Sequence, residues 1–162
     1  MLSPFLRESQ LSRTPSTRRN PLTGLNPLQP PARTVTEADL VNFAGVSGDF
    51  NPIHTDEEYA KGTPFGRRVA HGLLVLSILT GLRLRTGVFE GTLIAWLEIR
   101  SYKFLKPVFI GDTIRGETEI IEKRETSKPD RGIVIQRVRV YNHKDELVQE
   151  GEFVTLMRRR RG

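Results

Sequence analysis

One stretch limits the folds open to this chain more than any other. His71-Gly72-Leu73-Leu74-Val75-Leu76-Ser77-Ile78-Leu79-Thr80-Gly81-Leu82-Arg83-Leu84-Arg85 is apolar on nearly every face through its first two turns. A helix of that kind has no solvated side, so it belongs inside a protein. At 1.5 Å per residue it runs about 22 Å. Its longest apolar run, Leu73 to Leu79, is far below the ~20 residues a membrane span requires. Nothing else in the chain reads as a long buried helix. The residues C-terminal to it read as strand. Leu93 to Phe104, Thr113 to Glu125, Ile133 to Tyr141 and Leu147 to Met157 each contain two-residue alternation, with turn residues between them at Gly111-Asp112, Pro129 to Gly132 and Asn142 to Asp145. Helices first and a strand meander afterwards predict an α+β chain whose antiparallel sheet wraps around the one buried helix.

The residues before that helix carry shorter signals. Thr36 followed by Asp39 is a helix start, and Leu40, Phe43 and Ala44 continue at helical spacing. Gly48 ends it, and Gly48-Asp49-Phe50-Asn51-Pro52 reads as a loop. Asp56 to Lys61 predicts a short helical turn closed by Gly62, and residues 62–68 a second loop.

With 162 residues and no internal repeat, one folded domain is expected. The expected division is an extension over residues 1–34, a body over 35–157 and a tail over 158–162. Six prolines in the extension oppose any long helix there, which disfavours an organelle-targeting peptide despite its arginines. No signal-peptide core is visible either, and a cytoplasmic location is the expectation. The net charge of +6 is concentrated at the ends. Residues 1–34 hold five arginines against one acid, and Arg158 to Arg161 add four more, so the body is slightly acidic. That placement reads as two solvated ends, and nucleic acid is not an expected partner. The absence of cysteine excludes disulfides, thiolate metal sites and cysteine nucleophiles.

The densest chemistry lies in Phe43-Ala44-Gly45-Val46-Ser47-Gly48-Asp49-Phe50-Asn51-Pro52-Ile53-His54-Thr55-Asp56. On one continuous helix Asp49 and His54 would point ~140° apart. Gly48 and Pro52 break the helix, and a turning loop can bring the carboxylate and imidazole to one point. Such a pair suits proton traffic near neutral pH. Taken singly, Asp49 is as readily a turn residue and His54 a satisfied histidine. Asp49, His54, Asp56 and His71 also offer metal-ligand types, but their spacing matches no common metal motif, and no metal is expected. His71 is expected to pack or cap at the helix start, Leu73 to Leu82 to form core, Trp96 to lie in the core or an interface, and His143 to sit in a surface turn.

This stretch resembles the signature of the MaoC-like dehydratases and (R)-specific enoyl-CoA hydratases, with Phe43, Ser47, Asp49, Asn51, Pro52, Ile53, His54 and Asp56 in register. Tyr59-Ala60, Val69-Ala70-His71-Gly72-Leu73 and Phe104 to Thr113 extend the likeness across residues 35–157. The resemblance implies a hot-dog fold working as a homodimer or higher. It implies an enzyme of fatty-acyl metabolism that adds water reversibly across a trans-2-enoyl thioester, on CoA or on acyl-carrier protein, to give the (3R)-3-hydroxyacyl thioester. Asp49 and His54 would activate the water, the backbone amide of Gly72 would polarise the thioester carbonyl, and Ser47 and Asn51 would orient the pair. No cofactor is implied. Arg83, Arg85 and Lys103 would meet the substrate's phosphates or form solvated faces. The alternatives on the same fold are acyl-thioester hydrolysis and a non-catalytic accessory subunit.

Overall fold

The computed structural model describes residues 26–159. The readings of residues 1–25 and of Arg160 and Arg161 lie outside the described residues.

Local signals account for the first helices. Helix α1, Glu37–Ser47, opens on a capping box in which the Thr36 side chain accepts from the Asp39 amide and Asp39 from the Thr36 amide. It closes on Gly48 at φ 74°, a left-handed cap that glycine adopts without steric cost. The loop expected through Pro52 is shorter than predicted. Pro52–Thr55 forms a one-turn helix, α2, because Pro52 needs no amide partner in the first turn and Asn51 caps it by accepting from the Ile53 amide. Asp56 then caps α3, Glu57–Lys61, and Gly62 ends it.

Helix α4, Gly72–Leu84, is the buried helix expected from its composition. Around it curls a five-stranded antiparallel sheet: β1, Arg33–Thr34; β2, Leu93–Phe104; β3, Thr113–Glu125; β4, Arg131–Tyr141; and β5, Leu147–Arg158. The order is β1-β3-β4-β5-β2. β4 begins two residues before the expected Ile133, since Arg131 and Gly132 pair with Arg158 and Met157. β1 has no counterpart among the expected strands; two residues are too few to show a period. Leu28 also exchanges both backbone bonds with Thr118, so residues before Val35 lie along β3.

The core sits between α4 and the sheet. Leu79, Val75 and Leu82 pack with Ile114, Val138, Val140 and Phe153, all buried. Full burial of a side chain such as Leu79 contributes about 1.5–3 kcal/mol. Gly116 in β3 allows this approach, since a methyl group there would overlap the Leu79 side chain.

Two expectations for α4 need correction. Leu73, read as core, is 58% exposed, and Ser77 and Gly81 on the same strip are exposed too. The sheet covers only part of the helix circumference. Arg83, read as a phosphate contact or a solvated residue, is buried at 6% exposure. Its Nε donates to Thr118 Oγ1 at 2.9 Å, it bonds Gln136 Oε1, and the rings of Phe89 and Phe153 lie 4.7 and 4.8 Å from its guanidinium carbon. Among the described residues, no helix is long and apolar enough to cross a membrane.

Candidate active site

Asp49 and His54 are brought together by the break between α1 and α2. Ser47, the last residue of α1, donates its hydroxyl to the Phe43 carbonyl at 2.6 Å and accepts from the Asp49 amide at 3.2 Å. The chain therefore turns sharply at Gly48. Asp49 Oδ1 accepts from the backbone amide of Asn51 at 3.2 Å, while the Asn51 side chain caps α2. Ser47 thus touches the backbone of Asp49, and Asn51 reaches its carboxylate through its own backbone. α2 then carries His54 inward to 8% exposure, while the Asp49 side chain stays half exposed.

His54 is held in one tautomer. Its Nδ1 lies 2.6 Å from the carbonyl of Val69, which can only accept, so Nδ1 carries the proton. The other nitrogen, Nε2, lies 3.9 Å from Asp49 Oδ2. Burial pushes the His54 pKa below its usual value of 6.5, and neighbouring His71 acts the same way. The Val69 hydrogen bond and the Asp49 charge oppose this without reversing it. His54 is therefore neutral at pH 7, with a lone pair on Nε2.

His71 packs as expected and does not cap; its side chain makes no bond to the start of α4. Its ring stacks on His54 with centroids 3.8 Å apart and planes at 25°, and Phe43 lies 5.1 Å away on centroids. Its Nε2 donates to the Asp49 carbonyl at 3.0 Å. It therefore touches both members of the pair. Nothing in its sequence position signals this role; the contact depends on the chain folding back across 22 residues.

Asp49, His54 and His71 each place one possible ligand atom within 4.8 Å of the others. The donor directions do not suit an ion. Imidazole lone pairs lie in the ring planes, and two rings stacked at 25° send them side by side. One nitrogen of each ring is already occupied by a backbone carbonyl.

A cleft of about 510 Å³ opens beside His54. His54 and Gly72 line it, with Phe65, Leu73, Phe104 and Lys106 among the other walls; Asp49, Ser47 and Asn51 do not. Gly72 is the first residue of α4, so its amide has no carbonyl partner within the helix. No side chain fits there, because a Cβ on Gly72 would stand 2.7 Å from the Phe104 ring. A relay fixes this corner: Tyr102 donates to Gln149 at 2.8 Å, and Gln149 donates to the Gly72 carbonyl at 2.9 Å. Arg85 and Lys103 do not line the cleft. Lys106 does, and pairs with Glu146 at 2.7 Å. Its place inside the Phe104-Leu105-Lys106-Pro107 run gives no sign of this in the sequence.

The sequence profile of the MaoC like domain matches residues 19–142. The (R)-specific enoyl-CoA hydratase of Aeromonas caviae is 33% identical over 117 residues, covering 72% of this chain and 82% of that protein. Protein MaoC of Klebsiella aerogenes is 42% identical over 101 residues, 62% of this chain, but the match spans only 29% of that longer protein. A solved structure, a monoamine oxidase regulatory protein from Archaeoglobus fulgidus, superposes with a TM-score of 0.78 at 38% identity, covering 84% of this chain and 90% of the other. A sheet curled on one buried helix, in a chain whose profile match and relatives coincide over most of its length, is the hot-dog fold, and the chain belongs to the MaoC-like domain family.

Proposed function

We propose that this chain is a hydro-lyase that interconverts a trans-2-enoyl thioester and the (3R)-3-hydroxyacyl thioester, with Asp49 and His54 activating the water. The observation that carries the reading is the 3.9 Å separation of Asp49 Oδ2 and His54 Nε2, both acceptors in the neutral-histidine state. A water at ordinary hydrogen-bond distance from each subtends an angle of ~90° between them. It can therefore donate both hydrogens to the pair and direct a lone pair outward. Attack on the β-carbon releases one proton to the pair, which then delivers it to the α-carbon. Hydrogen and hydroxyl are thus added with no redox partner.

The developing charge on the thioester oxygen needs a donor. The Gly72 amide supplies one at the positive end of the α4 dipole, in a cleft whose walls are mostly apolar. Phe104 against Gly72 keeps the backbone accessible to the carbonyl while excluding a side chain. Support for the substrate class comes from the names of relatives, which include an (R)-specific enoyl-CoA hydratase and the 3-hydroxybutyryl-CoA dehydratase of Methylorubrum extorquens.

The working unit in this reading is a homodimer. β2 pairs with β5 on one side and, among the described residues, has no strand against its other edge, and Leu93, Trp96, Leu97 and Ile99 on it are 38–51% exposed. A long apolar edge of that kind calls for a covering partner. Sedimentation of the purified protein should give twice the chain mass, and Leu97→Glu should shift it toward monomer.

The activity is tested by following the enoyl-thioester absorbance of crotonyl-CoA with purified protein, then determining the configuration of the product. Loss of absorbance with formation of the (3R) alcohol is expected. Release of free CoA in place of hydration would instead indicate a hydrolase.

A further inference from the structure

We infer that His71 is a positioning residue that fixes the water-activating pair and the oxyanion donor in one frame. The inference rests on the hydro-lyase reading above. Three parts of the residue supply the frame. The ring stacks on His54, with centroids 3.8 Å apart. The ring Nε2 donates to the carbonyl of Asp49 at 3.0 Å. The backbone supplies the third part, because the Gly72 amide belongs to the peptide bond whose carbonyl is that of His71. That carbonyl accepts from the Val75 amide at 3.3 Å, which locks the peptide plane into the first turn of α4. A displaced His71 ring would therefore release Asp49 and His54 from their places relative to Gly72.

The bond to Asp49 matters because the neighbouring side-chain bonds of the loop are local. Ser47 Oγ holds the Asp49 amide, Asp49 Oδ1 the Asn51 amide and Asn51 Oδ1 the Ile53 amide. These set the shape of the loop but not its place against α4. His71 reaches Asp49 across 22 residues of chain. Two features set this side chain apart from one kept for stability. His71 is the N-cap of α4, yet its side chain makes no bond to the first-turn amides, which is what a side chain there ordinarily contributes. Its Nδ1 is also buried with no hydrogen-bond partner among the described residues. In a neutral ring that donates from Nε2, Nδ1 is a bare acceptor, and a buried acceptor without a donor costs stability. An apolar side chain would avoid that cost, but it could not hold Asp49. His71 does not line the cleft beside His54, so its effect on a substrate must pass through its neighbours.

The test compares the full chain with His71→Leu and His71→Gln. Leucine fills the volume and removes both ring nitrogens. Glutamine keeps an amide donor at much the same reach as Nε2. The leucine variant should melt within a few degrees of the wild type or above it. Its kcat for crotonyl-CoA should nevertheless fall by at least about tenfold through misplacement of the reacting groups, with KM nearly constant. Glutamine should recover part of the lost kcat. Independently of turnover, ¹⁵N relaxation should find the amides of Asp49, Asn51 and Ile53 more mobile in His71→Leu than in the wild type or His71→Gln, with the amides of α4 unchanged. The proposal is overturned by wild-type kcat in His71→Leu, by a loss of rate that only follows loss of folded protein, or by a glutamine variant no better than leucine in both rate and loop order. Absence of turnover in the wild type would defeat the hydro-lyase reading instead. The relaxation comparison would then decide, and loop amides equally ordered in all three proteins would overturn the role of His71.

Discussion

The loop from Ser47 to Asp56 and the helix α4 lie side by side but are held by different forces. The loop is a string of side-chain-to-backbone bonds: Ser47 to Phe43 and Asp49, Asp49 to Asn51, Asn51 to Ile53, Thr55 to Phe50 and Asp56 to Tyr59. Little of it is apolar and buried. α4 is held by burial, with Leu79 and Val75 against the strands. The difference teaches where chemistry and stability reside. The loop is tightly specified in geometry but contributes little to the folding free energy, whereas α4 supplies that free energy and lends the loop only its first residue, Gly72, and the residue before it, His71.

The largest effect that can break this separation is on turnover. Asp49→Asn and His54→Gln should each lower kcat/KM by roughly 10²–10⁴ while shifting the melting temperature by only a few degrees. Parallel loss of folding would erase the contrast. The converse substitution is Leu79→Ala, which should lower the unfolding free energy by about 2–5 kcal/mol in urea and leave kcat/KM of the folded fraction within a few-fold. Gly72→Ala tests the boundary. Its methyl meets the Phe104 ring at 2.7 Å, so a tenfold or larger loss of kcat/KM is expected, relieved in part by Phe104→Leu.

The pH dependence sharpens the same division. Water can donate to His54 Nε2 only when the ring is neutral, and burial holds the His54 pKa below 6.5. Activity should therefore stay level through neutral pH and fall only as the pH drops through that depressed value. The unfolded chain takes up this proton first, near 6.5, so stability also declines as the pH falls below 6.5 and stops declining below the folded-state pKa. A rate that falls already above pH 6.5 would contradict the assigned cause. Smallest is Thr36→Ala at the α1 cap, worth about 1 kcal/mol of stability and no measurable activity.

Much of the fold is legible in the sequence because its causes are local. The Thr36 and Asp39 box, the Gly48 stop, the short helix closed by Gly62 and the bounds of β2 and β3 all follow from residues a few positions apart. α2 and β1 escape because four and two residues cannot display a period. Arg83 misleads because its partners, Thr118 and Gln136, stand 35 and 53 positions away and meet it only once the sheet has curled. Leu73 misleads because apolarity on every face does not reveal how far the sheet extends around the helix. At the site, Asp49 and His54 stand out through their motif and the breaks between them. The ring of His71 stacked on His54, and the relay from Tyr102 through Gln149 to Gly72, are products of tertiary structure and leave no mark on local sequence.

The central claim is that Asp49 and His54 act on one water as a single unit. It is tested most directly by kcat/KM for crotonyl-CoA in Asp49→Asn, His54→Gln and the double variant, with each shown to be folded by circular dichroism. The account predicts that the double variant loses about as much as the more damaged single variant, because either change already dismantles the unit. Losses that multiply would contradict it and would mean the two residues serve separate steps.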